Sequence, residues 1–270
     1  MQRNLRIIRI LLSAVFLAAA VAYLAMWPDV HPMAKVSEKV QIIPSAITVT
    51  LGVTLVWLAI TFLFGRVYCS TVCPVGTLQD VVIALRRRLR PGKKFRFQPA
   101  RKVRYHILLI YAVCLIVGVV AVPMWLEPWN IMRNICAAVN PTAAQAQWIQ
   151  LGVGTAVGVV AGIVSALLIL ICAVFTGRGF CNTVCPIGTV LSIIEPHCIF
   201  HIEIDPDRCT GCLKCEEACP ANCIKAVSRY VDNTRCVRCF DCLHVCGDDA
   251  IRYQPNRNRP ATPLMRKAKT

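Results

Sequence analysis

Four long stretches of the chain contain no charged residue. They run from Ile10 to Trp27, from Gln41 to Gly65, from Ile107 to Leu126 and from Trp148 to Thr176. A helix needs about 20 mostly apolar residues to cross the hydrocarbon core of a bilayer. The pattern therefore predicts an all-α domain of four transmembrane helices, which we expect to cover residues 1–198.

The first stretch also has features of a secretory signal peptide. Arg3, Arg6 and Arg9 precede it, and it contains three consecutive alanines at positions 18–20. Its apolar run is longer than the roughly 7–15 residues of a signal-peptide core. We therefore expect a helix that stays in the mature protein.

Composition agrees with a membrane protein, and the distribution of charge indicates its orientation. The chain is 56% hydrophobic and has a formal net charge of +16. Basic residues crowd the segment from Arg86 to Arg104, whereas residues 127–147 contain only Arg133. Because cytoplasmic loops are enriched in Lys and Arg, this asymmetry predicts a multi-pass protein of the bacterial inner membrane with both termini in the cytoplasm.

The same asymmetry explains the positive charge without a nucleic-acid partner. A basic cytoplasmic loop is attracted to anionic lipid head groups. We therefore interpret the segment as a determinant of topology in contact with membrane lipids. A docking surface for an acidic partner protein is the alternative.

The cysteines near the C-terminus follow the spacing of a two-cluster bacterial ferredoxin. The chain has 17 cysteines, and it reads CTGCLKCEEACP from Cys209 and CVRCFDCLHVCG from Cys236. In such runs the first three thiolates bind one cluster and the fourth binds the other cluster. A zinc ribbon would instead use two separated pairs of cysteines. The spacing thus predicts two [4Fe-4S] clusters in a small α+β domain, residues 199–254, followed by a basic tail, residues 255–270.

The spacing rule also predicts how the eight cysteines divide between the two clusters. One cluster is expected to bind Cys209, Cys212, Cys215 and Cys246. The other is expected to bind Cys236, Cys239, Cys242 and Cys219.

The membrane domain contains an internal repeat. The line GRVYCSTVCPVGTLQ, which begins at Gly65, recurs as GRGFCNTVCPIGTVL from Gly177. Each copy follows an even-numbered apolar stretch, so the domain consists of two parallel two-helix units. Parallel repeats are related by an axis along the membrane normal, and such an axis brings the two motifs towards each other.

Each copy carries a C-x3-C-P motif, which supplies Cys69 and Cys73 in the first repeat and Cys181 and Cys185 in the second. Three interpretations are open. The four thiols bind a third iron–sulfur cluster at the repeat interface, form two redox-active pairs, or only pack two helices together. The remaining cysteines show no ligand spacing: Cys114, Cys136, Cys172, Cys198 and Cys223. Of these, Cys114, Cys172 and Cys223 are interpreted as packing residues.

These motifs resemble the NapH family of ferredoxin-type quinol dehydrogenase subunits and, more loosely, the membrane halves of NosR, CcoG and MauN proteins. The resemblance implies electron transfer between the quinone pool and a protein redox partner such as a ferredoxin, a flavoprotein, a cytochrome or a periplasmic reductase. It carries over the twelve motif cysteines as iron–sulfur ligands or redox groups.

A quinone site requires an apolar slot and a group that accepts protons. His31 and Glu127 are the first candidates, because each lies beside a predicted membrane segment. Two other functions remain open. The protein could conduct electrons from a cytosolic ferredoxin or flavoprotein to an extracytoplasmic partner without quinone, or it could assist the assembly of a metalloenzyme, as the CcoG resemblance permits.

Overall fold

The computed structural model describes residues 4–25, 51–89, 95–99, 102–119, 125–139 and 155–255. Up to residue 198 the described chain is helical. The helices are α1 (Asn4–Ala25), α2 (Leu51–Phe64), α3 (Tyr68–Thr71), α4 (Pro74–Leu89), α5 (Val103–Val117), α6 (Pro128–Val139), α7 (Thr155–Thr176), α8 (Gly179–Thr183) and α9 (Pro186–Ile194).

The C-terminal part, residues 199–255, contains short strands and helices. These are β1 (Phe200–Ile204), α10 (Lys214–Ala218), β2 (Ile224–Lys225), β3 (Tyr230–Val231), α11 (Asp241–Val245) and β4 (Ile251–Pro255). Strand β1 pairs antiparallel with β4 and brings Phe200 opposite Pro255. Strand β2 pairs antiparallel with β3.

Two of the described helices are long and apolar enough to cross a membrane. Their apolar windows cover Asn4–Leu24 in α1 and Val159–Thr176 in α7, and only 28% of each window is buried inside the protein. Shorter apolar helices cover Gly52–Phe64 and Val103–Val117. The other parts of the predicted second, third and fourth spans reach into residues outside the described ranges.

The two copies of the repeat are interlocked. Helix α4, which follows the first C-x3-C-P motif, packs against α7 of the second copy and against α1. Helix α9, which follows the second motif, packs against α2 of the first copy and against α5. Each motif is therefore held between its own copy and the other one.

The prolines of the motifs begin helices. Pro74 and Pro186 are the first residues of α4 and α9. Proline suits the first helical position because its φ angle fits the helix and its missing N–H is not needed there. In both copies the second cysteine consequently lies just before the start of a helix.

Helix α6 packs against α7, α1 and α4. Trp129 of this helix is 5% exposed, and its ring stacks on that of Tyr23 with 6.2 Å between the centroids. The helix belongs to the packed interior of the helical part.

The C-terminal part is docked on the end of α2. The backbone N–H of Ile199 donates to the carbonyl oxygen of Phe62 at 3.0 Å, and the hydroxyl of Tyr253 donates to that of Phe64 at 2.8 Å. The rings of Phe64 and Phe200 stack with 5.6 Å between their centroids. These contacts join the motif-bearing helices to the strands that follow.

The basic segment packs over the C-terminal part, a role that the sequence did not reveal. The guanidinium of Arg86 lies over the ring of Phe95, 4.4 Å from its centroid. The backbone N–H of Phe97 donates to Glu216 at 3.3 Å, and that of Gln98 donates to the carbonyl oxygen of Asn222 at 3.0 Å. The described residues of this segment therefore contribute to the tertiary fold as well as to its charge.

Candidate iron–sulfur centres

A cavity in the C-terminal part is lined by four predicted ligands of one cluster. Its wall includes Cys219, Cys236, Cys239 and Cys242. The other lining side chains are apolar, apart from one further cysteine, Cys223. Thiolates around a dry cavity are the environment that an iron–sulfur cluster needs, because burial and hydrogen bonds to sulfur set its potential.

Cys223 is a member of this site that sequence reasoning missed. Its side chain is 1% exposed, and its Sγ lies 3.4 Å from the Sγ of Cys219. A hydrogen bond from Cys223 and the charge of Arg238 lower the pKa of Cys236 to about 5 despite its burial. The sequence offers one signal for this role. Cys223 lies four residues after Cys219, which is an expected ligand of the same cluster.

The first motif lies nearer the surface. Cys209, Cys212 and Cys215 are within electrostatic range of one another, and Cys212 is exposed. The hydroxyl of Thr210 donates to Asp248 at 2.9 Å. Because Asp248 follows Cys246 by two residues, this bond brings the fourth predicted ligand close to the first three.

Within the described ranges, no three His, Cys, Asp or Glu side chains are close enough together to hold a single metal ion. A cubane cluster binds each thiolate through a different iron, so its ligands stand further apart than those of one ion.

The four C-x3-C-P cysteines converge between the two repeats. Cys69, Cys73, Cys181 and Cys185 are each 3–4% exposed, and all four are within electrostatic range of one another. Burial raises the pKa of Cys73 and Cys185, and it raises that of Cys181 to about 11. The Sγ of Cys185 accepts a hydrogen bond from the backbone N–H of Gly188 at 3.4 Å.

The glycine of each motif permits this convergence. A Cβ at Gly76 would collide with the carbonyl oxygen of Cys69, and a Cβ at Gly188 would collide with that of Cys181. Each glycine thus lets the first turn of a helix rest directly on the backbone of the first cysteine in its own motif.

Two buried arginines tie the copies together in a crossed arrangement. Arg66 of the first copy donates to the carbonyl oxygen of Cys181 at 3.1 Å, and its Nη2 lies 4.0 Å from the Sγ of Cys69. Arg178 of the second copy donates to the carbonyl oxygen of Cys69 at 2.6 Å. Both side chains are fully buried.

The arginines differ in their counter-charges. Arg178 forms a bidentate ion pair with Asp80, at 2.9 and 2.5 Å, and Asp80 also pairs with Arg9. The position equivalent to Asp80 in the second copy is Ser192, which is uncharged. Within the described part of the chain Arg66 forms no salt bridge.

Positive charge is consequently in excess around the four thiols. Arg238 pairs with Glu195 at 2.9 Å, and burial raises the pKa of that carboxyl to about 8. The buried cations that act on these thiols are Arg66 and Arg178. Asp80 acts on them with the opposite sign but also pairs with Arg9, and Glu195 is shared between Arg66 and Arg238. An isolated buried charge is unfavourable. An anionic group held by four thiolates would balance this excess, so the residues present fit an iron–sulfur cluster.

The repeat cysteines and the second ferredoxin motif share one wall. The backbone N–H of Arg178 donates to the carbonyl oxygen of Pro220 at 2.8 Å, and the Arg178 side chain is within electrostatic range of Cys239. Arg66 also donates to the carbonyl oxygen of Thr234 at 3.2 Å, two residues before Cys236. A few side chains therefore separate the two groups of thiols.

The two quinone-site candidates have different outcomes. His31 lies outside the described residues. Glu127 is 5% exposed and accepts a hydrogen bond from Asn130 at 2.5 Å. Burial raises its pKa to about 7, against the opposing effect of Arg133. Glu127 is therefore enclosed by the protein.

Comparison with known proteins agrees with this chemistry. Residues 46–93 and 159–198, which include the C-x3-C-P motifs, match a family described as a 4Fe-4S binding domain. Residues 202–225 match a second family with the same description. The chain is thus an iron–sulfur electron-transfer protein.

Related proteins define the family. The chain is 28% identical to an uncharacterized protein of Methanocaldococcus jannaschii, over 78% of this chain and 74% of that protein. It is 28% identical to the ferredoxin-type protein NapH of Haemophilus influenzae, over 66% of this chain and 55% of NapH. A methylamine utilization ferredoxin-type protein MauN, from Methylobacillus flagellatus, is 26% identical over 59% of this chain and 50% of its own length.

The chain is similar to the NapH-type ferredoxin-type proteins, which confirms the resemblance that its motifs predicted. It spans about half the length of the NapH and MauN relatives that it matches. No solved structure matches it significantly.

Proposed function

We propose that this protein carries electrons between the quinone pool of the bacterial inner membrane and a protein redox partner, through two ferredoxin clusters and a third cluster at the repeat interface. The observation that carries the proposal is the wall shared by the C-x3-C-P cysteines and the expected ligands of the second ferredoxin cluster. In this wall Arg178 contacts both Cys69 and Pro220, the residue that follows Cys219.

The membrane part of the proposal is a domain of four spanning helices, residues 1–198, with both termini in the cytoplasm. It is supported by the outward faces of the apolar helices. Leu11 and Val15 of α1 and Leu167 and Ile171 of α7 are each more than half exposed. Large contiguous apolar surfaces are rare on soluble monomers, whereas lipid covers them in a membrane.

The third cluster is supported by the burial and mutual approach of its four proposed ligands. Redox-active thiols need access to their partners, and these four are almost completely enclosed. Plain packing does not explain the excess of buried positive charge around them. A match to a 4Fe-4S binding domain over these same segments also supports a cluster here.

For the C-terminal part, residues 199–254, we propose the ligand sets given by the ferredoxin spacing. One set is Cys209, Cys212, Cys215 and Cys246. The other is Cys219, Cys236, Cys239 and Cys242. When bound, the clusters supply one-electron transfer. The protein orients the thiolates, excludes water from Cys236 and its neighbours, and supplies hydrogen bonds to sulfur.

The exposed cysteine of the first motif indicates where a cytoplasmic partner meets the protein. Cys212 is exposed, and the neighbouring Leu213 and Val227 are 38% and 79% exposed. A ferredoxin, flavoprotein or cytochrome that docked here would approach the cluster site nearest the surface. The quinone would meet the opposite end of the chain of centres, in the membrane domain.

Iron and acid-labile sulfide, measured with low-temperature EPR on anaerobically purified protein, test the third cluster. We expect about twelve irons in the wild type and about eight in a Cys69→Ser, Cys181→Ser variant. A Cys114→Ser, Cys172→Ser variant, which removes two other thiols of the helical part, should keep about twelve. About eight irons in all three proteins would exclude a cluster at the repeat interface.

Quinol reduction tests the remainder of the proposal. Anaerobic addition of a short-chain quinol to the oxidised protein in nanodiscs should reduce the clusters, with loss of visible absorbance and the appearance of the EPR signals of reduced clusters. Dithionite serves as the control that the clusters can be reduced. If dithionite reduces them but an excess of quinol with a lower potential than the clusters does not, the link to the quinone pool is refuted.

A further inference from the structure

A buried polar group lies in the helical part beside the repeat cysteines. Tyr111 of α5 is 6% exposed. It is within electrostatic range of both Glu127 and Cys185. Helix α5 also packs against α9, whose first residue, Pro186, follows Cys185 directly. The Tyr111 phenol therefore lies between helices that carry a buried carboxyl and a proposed ligand of the third cluster.

Tyr111 has an unsatisfied hydrogen-bonding group. Its buried hydroxyl has no hydrogen-bond partner among the described residues. A buried polar group without a partner is unfavourable by about 1–3 kcal/mol, so such groups usually have a functional explanation. An ionisable residue enclosed in an apolar membrane domain, such as Glu127, is likewise rare and typically marks a substrate or proton pathway.

Helix α5 lies at the outer surface of the helical part, since Leu109 and Ile110 are 62% and 55% exposed. In the proposed membrane this surface faces lipid. A ligand that comes from the lipid to bind Tyr111 must be apolar, but it must also offer oxygen atoms that accept and donate hydrogen bonds. A quinone and its quinol have both properties.

We propose that Tyr111 and Glu127 bind the head group of the quinol. The Tyr111 hydroxyl donates a hydrogen bond to a quinone oxygen, and the Glu127 carboxylate accepts one from a quinol hydroxyl. This inference rests on the proposed function and assigns its substrate site. His31 is not needed for it.

Quinol oxidation at this site balances if Glu127 accepts a proton twice in succession. Oxidation of a quinol breaks two O–H bonds, forms two C=O bonds and releases two protons and two electrons. Glu127 accepts one proton and releases it to solvent before it accepts the second. The oxidants are the iron–sulfur centres, each of which takes one electron at a time.

Equilibrium binding of a decyl-substituted benzoquinone tests the site without turnover. Isothermal titration calorimetry on the detergent-solubilised holoprotein should give a Kd about tenfold higher for Tyr111→Phe and for Glu127→Gln than for the wild type, since each variant loses one hydrogen bond to the ligand. The Tyr105→Phe variant, altered on the same helix at a 45% exposed position, should bind as the wild type does. Tyr111→Phe keeps the ring, so that its packing is preserved.

Equal Kd values for the wild type, Tyr111→Phe and Glu127→Gln, or no binding to the wild type, would overturn the assignment. Reduction of the clusters by quinol separates this failure from that of the proposed function. If quinol reduces the clusters equally in the wild type and both variants, the site lies elsewhere and the proposed function stands. If quinol does not reduce the wild type, both fall.

Discussion

The guanidinium of Arg178 donates a hydrogen bond to the carbonyl oxygen of Cys69, 2.6 Å away in the other copy of the internal repeat. Arg66 makes the reciprocal bond to Cys181 at 3.1 Å. Each copy thus fixes the backbone of the other copy's first cysteine. Neither C-x3-C-P motif can take up this geometry without the other.

Arg178 forms a salt bridge and Arg66 does not, and this difference leads to a prediction about the midpoint potential of the proposed repeat-interface cluster. Arg66→Gln removes a buried positive charge that no acid neutralises by a salt bridge in the described part of the chain. We expect the midpoint potential of the repeat-interface centre to fall by on the order of 100 mV, the effect of one charge several ångströms away at an effective dielectric constant of about 20. A redox titration followed by EPR measures it.

The control for Arg66 is Arg88→Gln, which removes an exposed arginine from the end of α4. Its charge is screened by solvent and salt, so the potential should stay within experimental error of the wild type. An equal shift in both variants would show that net charge, and not the position of Arg66, sets the potential.

Cys223 should tune the neighbouring cluster without being needed to hold it. Cys223→Ala removes a thiol 3.4 Å from the Sγ of Cys219. We expect unchanged iron content and a midpoint potential lower by about 20–60 mV, because one hydrogen bond of about 0.5–1.5 kcal/mol to a thiolate sulfur is lost. EPR redox titration of the ferredoxin signals measures the shift.

The matching control is Cys114→Ala, which lies in α5, outside the C-terminal part. It should leave both iron content and potential unchanged. A loss of about four irons from Cys223→Ala would contradict the tuning role and would make Cys223 a ligand.

The glycine of the repeat motif should be intolerant of any side chain. In Gly188→Ala the added Cβ meets the carbonyl oxygen of Cys181, which is backbone and cannot move aside. We expect a loss of about 1–3 kcal/mol in stability, as for other overpacked sites, and a loss of iron from the repeat-interface centre. Gly52→Ala, where nothing lies within 4 Å of the new Cβ, should match the wild type in iron content and thermal stability.

Asp241 should anchor the second ferredoxin motif to the helical part. It pairs with both Arg6 and Arg87, at 2.9 Å in each case, and its side chain is only 12% exposed. Asp241→Asn removes the carboxylate from two arginines, so we expect faster hydrogen exchange in residues 241–245 and a loss of about 1–3 kcal/mol in stability.

Asp205→Asn is the comparison for Asp241. Its ion pair with Arg208 is at the surface, with 56% of the arginine side chain exposed, so its loss should change stability by less than about 1 kcal/mol. Equal exchange rates at residues 241–245 in both variants would argue against the anchoring role.

The iron–sulfur motifs and the internal repeat could be predicted from the sequence, because each is defined by residues that lie close together along the chain. The ferredoxin spacing from Cys209 and from Cys236 indicated iron–sulfur chemistry, since ligands a few residues apart must approach one metal centre whatever the rest of the chain does. The repeated line that begins at Gly65 and at Gly177 likewise indicated a duplicated unit. The family suggested by these motifs is confirmed by the comparisons.

Other features were not predictable because they depend on residues distant in sequence. Cys223 was interpreted as packing, and only the fold turns its thiol towards Cys219. Tyr111 belongs to no sequence motif. It becomes a candidate for quinol binding only because the fold brings it within electrostatic range of Glu127 and Cys185. The docking of Phe97 and Gln98 on the C-terminal part had no signal in the charge pattern.

The sequence by itself determined the kind of chemistry, the duplication and the apolar stretches, because ligand spacing and hydropathy act over a few residues to one helix length. Only the tertiary structure decided which arginine contacts which cysteine, that Arg178 forms a salt bridge with Asp80 while Arg66 forms none in the described part of the chain, and that Glu127 is enclosed. These properties arise from the crossed packing of two copies, where electrostatic energy depends on distances that no single segment specifies.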